Sequence, residues 1–354
     1  ASQAYTEAIS MGQASGNIMF TLAAATGLGN IQEAENQLYL AAETYRRVLR
    51  LFGDQPQPFT SEAHLGLARI FYEWNDVEAA EKHSQLSLQL ARQVENTGMV
   101  PSCGVFLARM KLAQGDVAGA AVVLAEADQF VRQHNFVRLA LEVAAAQVLT
   151  LLHQGNIVAA AHLAQTHDLP ISRARVLLAQ GDPFAALAVL EPYRQQMEAK
   201  GWADERLKVM VLQAVTHHAH GEKDKAVLVL GEALALAEPG GFIRIFVDEG
   251  PPMAALLREA AKHGTVSNYV RQLLAAFGKA EGRTPVTQLL IEPLSERELE
   301  VLKLLRTDLN GPEIARECMV SLSTIRTHIQ KIYAKLGVNN RRAAIRHAEE
   351  LDLI

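Results

Sequence analysis

The chain has 354 residues, 34 Lys+Arg against 39 Asp+Glu, a formal net charge of -5 and 49% hydrophobic residues. That length exceeds one small core and predicts two or more units at about 150 residues each. No apolar run of about 18 residues is present to cross a membrane, and the opening "ASQAYTEAIS" lacks the basic-then-apolar plan of a signal peptide. The two cysteines, Cys103 and Cys318, are too far apart in sequence to suggest a metal pair or a disulfide framework. A reducing cytoplasm is the expected compartment. Aromatics are 6% while alanine and leucine abound, so the expected fold is all-α, helix packed on helix.

A short motif recurs along residues 1–240. It reads "GNIQEA" from Gly29, "NDVEAA" from Asn75, "GDVAGA" from Gly115, "GNIVAA" from Gly155, "GDPFAA" from Gly181 and "GEKDKA" from Gly221. The leading Gly or Asn suits a left-handed helix C-cap. The Asn or Asp that follows suits the next helix's N-cap, and Glu its first turn. Alanines come where two helices must approach closely. The steps from 75 to 115, 115 to 155 and 181 to 221 are 40 residues, while 155 to 181 is a shortened unit of 26. Helix pairs at such a period predict a solenoid.

Around the turn at Asn75 the pattern resembles tetratricopeptide repeats in longer, looser form. Leu67, Ala68, Phe71 and Ala80 stand at consensus positions, and Ser84 replaces the expected aromatic. Arg69, Arg109 and Arg175 each stand six residues before their turn residue. The resemblance implies that this position faces the concave groove, with Tyr72 and Glu73 at its border. Three arginines there would favour an anionic or hydroxyl-rich ligand or an acidic peptide as effector.

After Glu238 the character changes. "PGGFIRIFVDEGPPM" (239–253) has a β-prone centre between Gly and Pro, so the solenoid is expected to stop near 240. One or two helices follow around "AALLREAAK" and "SNYVRQLLAAF", and "GKAEGRTPVTQLLIEP" (278–293) reads as a linker. The expected domains are therefore 1–240, a helical-repeat sensor; 241–293, its end and the linker; and 294–354, a terminal module.

That module is dense with helix signals. Ser295 with Glu298, and Asn310 with Glu313, form capping-box patterns, and Pro312 suits a first turn. Leu299, Leu302 and Leu305 predict one apolar face. Ile314 and Cys318 face inward from a short second helix, and Met319 and Val320 form the connection. Ser321 caps a third helix whose Ile325, Ile329, Ile332 and Leu336 form a buried stripe. Gly337 ends it, and a fourth helix from Arg341 to Leu351 buries Ala344, Ile345 and Ala348. Residues 321–342 hold Arg326, Lys331, Lys335, Arg341 and Arg342 and no acid. With the isoleucines inward, Arg326, Thr327, Gln330 and Lys331 face outward. A short helix, a tight turn and a longer basic helix make the helix-turn-helix plan, whose second helix fits a major groove.

"LSERE", "EIA", "VSLSTIRTHIQKIYAKLGV" and "R..A" stand in this order over about 60 residues, and the module resembles the DNA-binding domain of LuxR-type transcriptional regulators. The resemblance implies that the third helix reads bases through Arg326, Thr327 and Gln330. It places Thr324, Lys331, Asn340 and Arg341 near phosphates and gives the fourth helix a role in homodimerisation. Asp308, Gly311 and Cys318 depart from the commoner Gly, Asn and Leu, and Gln330 is often Lys. Solenoid and module together resemble the large maltose-regulon-activator-like regulators. Those carry an ATP-binding module ahead of the repeats; no G-x-x-x-x-G-K-[ST] stands in these 354 residues.

"HHAH" (217–220) offers two histidines on one face and no third ligand nearby, so no metal is expected. No nucleophile elbow or other catalytic constellation appears, and no enzyme or cofactor is expected. The expected function is a DNA-binding transcription regulator, an activator by resemblance, with double-stranded DNA, RNA polymerase and an unknown effector as partners. The competing readings are a repeat scaffold that does not bind DNA and a hydrolase lacking its catalytic module.

Overall fold

A single capping device, repeated, sets the architecture. The computed structural model describes residues 2–51, 56–94, 98–262, 268–281, 296–307, 309–318, 320–335, 341, 344, 345 and 348, with 279–281, 296, 326, 334 and 335 by backbone alone. No strand occurs among the described residues. The chain divides into two units, 1–278 and 279–354.

In the first unit, α1 (Ser2–Ala14) precedes helix pairs joined by tight turns. They are α2 (Ile18–Ala34) with α3 (Leu38–Arg50), α4 (Ser61–Glu73) with α5 (Val77–Ala91), and α6 (Met99–Ala113) with α7 (Val117–Gln133). Then come α8 (Val137–His153) with α9 (Ile157–Thr166), α10 (Pro170–Ala179) with α11 (Pro183–Lys200), and α12 (Ala203–Ala219) with α13 (Lys223–Ala237). Asn75, Gly115, Gly155, Gly181 and Gly221 all take positive φ at the turn within their pair. The next residue caps the second helix: Asp76 accepts from Ala79 N at 3.1 Å, Asp116 from Gly119 N at 2.8 Å and Asp182 from Ala185 N at 2.9 Å. Glu222 makes no such cap and instead receives Lys225 and the His217 ring. Four residues past each cap, Ala80, Ala120, Ala160, Ala186 and Ala226 are all 0% exposed. A larger side chain there would force the paired helices apart.

The first repeat differs from the sequence expectation. Gly29 is not a turn; it lies inside α2, and the turn of that pair is at Asn36, with φ 60°. Asn36 serves as the left-handed C-cap, and Ala41, 0% exposed, takes the alanine position. Gly29 has another task. A Cβ there would stand 2.4 Å from the Tyr45 ring, and one at Gly66 2.3 Å from the ring's other edge. The two glycines make the slot that buries Tyr45 completely.

Residues 239–253 hold short helical segments and turns where a β-prone centre was read. A 3-10 turn at Glu238–Gly240 leads to α14 (Arg244–Val247), then α15 (Pro251–Lys262) and α16 (Asn268–Glu281). Tertiary burial overrides the local preference: Phe242, Ile243, Phe246 and Val247 are all buried, and α15 packs on α12 and α13. This segment therefore belongs to the first unit. It also reaches back to the early repeats. Ile243 N donates to Glu73 O at 2.7 Å and Trp74 Nε1 to Gly240 O at 2.9 Å. In addition α12 packs on α2, and Asn36 Nδ2 donates to Ala203 O at 3.0 Å. The last pair thus meets the first, beyond the nearest-neighbour packing of a simple solenoid.

The second unit holds α17 (Glu296–Leu305), α18 (Gly311–Glu317) and α19 (Leu322–Lys335), with helical backbone again at 341, 344, 345 and 348. Its core joins Val301, Leu302, Leu305, Ile314, Ala315, Cys318, Ile325, Ile332, Ala344 and Ala348. Val301 is fully buried while Leu299 and Ile329 are half-buried. Ser295, Asp308, Met319, Leu336 and Gly337 lie outside the described residues.

Candidate nucleic-acid interface

The entry of α18 is fixed by a reciprocal capping box. Asn310 Oδ1 accepts from Glu313 N at 3.1 Å, and Asn310 N donates to Glu313 Oε2 at 2.7 Å, with Pro312 in the first turn. After a tight turn, Ser321 Oγ accepts from Thr324 N at 3.1 Å and caps α19. Ile325 and Ile332, both 0% exposed, seat α19 on α17 and α18. Fixing that face turns Thr327, Gln330 and Lys331 to solvent, and all three are exposed. Among the described residues Lys331 makes no ion pair. Thr327 Oγ1 donates to Ser323 O at 3.1 Å. Thr324 is half-buried beside Ser321, its Oγ1 2.8 Å from Ser321 Oγ. Arg326 is described by its backbone alone, within α19, and Asn340 lies outside the described residues.

Arg341 is placed differently from its neighbours. Its Nε donates to Leu305 O at 2.9 Å, its Nη1 to Leu309 O at 2.7 Å and its Nη2 to Thr307 O. These carbonyls lie at the end of α17 and in the loop after it, where helix geometry leaves acceptors unsatisfied. The guanidinium therefore clamps the start of the fourth helical stretch to the α17–α18 connection. It also lies near Tyr333, whose phenol is pushed up by burial, with Arg341 opposing. On the other side Arg297 donates to Cys318 O, tying α17 to the end of α18.

The solenoid arginines meet internal carboxylates. Arg69 makes two hydrogen bonds to Glu33, at 2.9 and 2.8 Å; burial opposes its charge most, but Glu33, Tyr45 and Glu62 together raise its pKa. Arg109 pairs with Glu73 at 2.7 Å and with Asp248 at 3.0 Å. Arg175 pairs with Glu249 through both terminal nitrogens. Tyr72 lies between two guanidiniums, Arg109 at 4.7 Å and Arg244 at 4.9 Å from its ring centre, and donates toward Asp248 at 3.0 Å. Burial first, then Asp248, pushes its phenol up. Arg109 and Arg175 thus converge on one short stretch, while Arg69 sits in a separate network with Glu33, Tyr45, Asn30 and Glu62.

Sequence reasoning missed the acidic half of this arrangement. Asp248 and Glu249 stand 139 and 74 residues from the arginines they meet, and no local period links them. The one available signal was an adjacent acidic pair in a mostly apolar stretch whose only other charge is Arg244. His217, weighed for metal, has Nδ1 2.7 Å from Glu222 Oε2. No group of three or more potential metal ligands occurs among the described residues.

Residues 1–263 match the family model described as MalT-like TPR region, and residues 292–348 match that of bacterial regulatory proteins, luxR family. The first match spans most of the chain and coincides with the paired helices and the returning segment. The second brackets α17, α18 and α19. The chain belongs to the MalT-like helical-repeat family and, through its LuxR-type DNA-binding domain, is a transcription regulator.

Proposed function

We propose that this regulator is an activator: α19 docks in the major groove of its target DNA, and the solenoid's inner face receives an effector that controls that docking. The observation that carries the reading is the exposed, acid-free face of α19 between two fully buried isoleucines. A carboxylate on that face would repel phosphate. Arg326, Thr327 and Gln330 read base edges, with Arg326 bidentate to a guanine. Thr324, Lys331 and Asn340 meet phosphates and fix the register. Arg341 supports this surface chiefly from within; three of its five N–H groups are already hydrogen-bonded to carbonyls.

Homodimerisation on DNA through the fourth helical stretch, and contact with RNA polymerase, complete the proposal by resemblance. We assign no catalytic step to the chain and place it in the cytoplasm, where its DNA is. The test is selection of bound sequences from random duplex DNA with the full chain. An enriched motif, lost with Arg326→Ala, is the expected result; recovery of unselected sequence alone would remove the DNA-reading role.

A further inference from the structure

The three solenoid arginines singled out by their period are bound by carboxylates of the same chain. Asp248 and Glu249 follow α14 at the end of the returning segment. Asp248 accepts from Tyr72 and from Arg109, and pairs with Arg244 four residues earlier; Glu249 takes both terminal nitrogens of Arg175. These contacts reach helices of three different pairs: α4 through Tyr72, α6 through Arg109 and α10 through Arg175. Two adjacent carboxylates therefore staple repeats that a solenoid otherwise joins only through their neighbours. The staple is not sealed from water. The side chains of Arg109 and Arg175 are 37% and 28% exposed, that of Asp248 23% and that of Glu249 8%. At the Arg109–Asp248 end solvent and ions compete for both charges, while the Arg175–Glu249 pair is the more enclosed of the two.

We propose that Asp248 and Glu249 are an intramolecular acidic ligand that occupies an anion site formed by Arg109 and Arg175, so that an effector bearing carboxylate or phosphate oxygens must displace them to bind. This rests on the reading of the inner face as the effector surface and adds the effector's chemical class and its competitor. Paired guanidiniums offer planar, bidentate recognition to either oxyanion. The built-in competitor lowers apparent affinity by the fraction of time the arginines are released. Displacement removes the Asp248 contacts to Tyr72 and Arg109 and the Glu249 contact to Arg175, leaving α14 held to α4 by Arg244 on Tyr72 and by the backbone N–H bonds of Ile243 and Ile245 to Glu73. Since α14 leads through α15 and α16 toward the DNA-binding unit in the same chain, the device links effector occupancy to the segment preceding that unit.

The test uses the full chain with Asp248→Asn and Glu249→Gln combined, and inorganic phosphate and succinate as probes against chloride at equal ionic strength. The expected result is hydrogen exchange at least about tenfold faster over residues 242–249. A rise of about 2–4 °C in Tm with phosphate, succinate or both is expected in the variant, absent with chloride and smaller in wild type. Response to phosphate alone assigns a phosphate-bearing effector, and response to succinate alone a carboxylate. Adding Arg175→Gln should abolish it. If the double variant does not fold, the exchange of charges in Arg175→Glu with Glu249→Arg replaces it: Arg175→Glu alone should loosen 242–249, and the swap should restore protection. Unchanged exchange, or a folded variant in which neither anion outperforms chloride, overturns the proposal. An effector that still alters DNA binding in Arg109→Gln/Arg175→Gln would overturn it too, while leaving sensing by the solenoid intact.

Discussion

The solenoid's arginines and the exposed face of α19 treat positive charge in opposite ways. In the solenoid Arg69, Arg109, Arg175, Arg194 and Arg244 all end on carboxylates of the same chain. On α19 the exposed Lys331 has no carboxylate partner among the described residues. Charge that meets its counterion inside the fold organises the fold; charge left facing solvent in an acid-free stretch is available to a partner. Arg341 shows that the distinction is not one of address. It lies in the DNA-binding unit but is used as the solenoid arginines are, on internal acceptors.

The comparison breaks most visibly if the units are not separately built. Ile332 is 0% exposed in the core of the second unit. Ile332→Asp should cost more than about 4 kcal/mol there, since an aspartate buried among Val301, Ile314 and Ile325 has no partner. Calorimetry should show that unit's transition vanish while the solenoid's remains. Loss of both transitions together would contradict independent cores.

The next largest effect belongs to the solenoid and depends on pH. His64 Nδ1 lies 3.0 Å from His83 Nδ1 between α4 and α5. Burial, then His83, lowers the His64 pKa from 6.5 to about 4, and burial, then Lys82 and Arg46, lowers that of His83. The folded pair binds fewer protons than the unfolded chain in this window. Its contribution is therefore complete above pH 6.5 and is lost as pH falls toward about 4. For His64 alone the loss by about pH 5 is on the order of 2 kcal/mol. Urea unfolding at neutral and acid pH should show a weaker pH dependence in His64→Gln; equal slopes would remove the pair as the cause.

Two arginines sharpen the contrast within the DNA-binding unit. Arg341→Ala should destabilise that unit by about 1–3 kcal/mol, since it leaves three carbonyls without their charged donor. Arg326→Ala should leave stability unchanged and cost about 1–3 kcal/mol on the specific duplex, with much less on a scrambled one. Thermal melts and duplex titrations separate the two. A loss of binding with unchanged stability in Arg341→Ala would return that residue to the DNA surface.

Much of this was legible from local pattern. The turn at Asn75 and its successors, the Asn310–Glu313 box and the buried Ile325 and Ile332 all depend on neighbours within a few residues, where spacing and propensity speak directly. Gly29 misled because a glycine before Asn reads as a C-cap, whereas it clears space for a ring sixteen residues on. The β-prone 239–253 misled because its apolar residues serve helices from distant repeats. Arg69, Arg109 and Arg175 were singled out by period, but their acidic partners were not. Ion pairs across 74 and 139 residues leave no periodic trace.

The most direct test of the central claim is a salt titration of DNA binding by wild type and Lys331→Ala on specific and scrambled duplexes. If α19's exposed charge faces phosphate, Lys331→Ala should weaken both complexes alike, by less than about 1 kcal/mol, and flatten the slope of log K against log salt by roughly one unit. Slopes and affinities identical to wild type on both duplexes would contradict the assignment of this face to DNA.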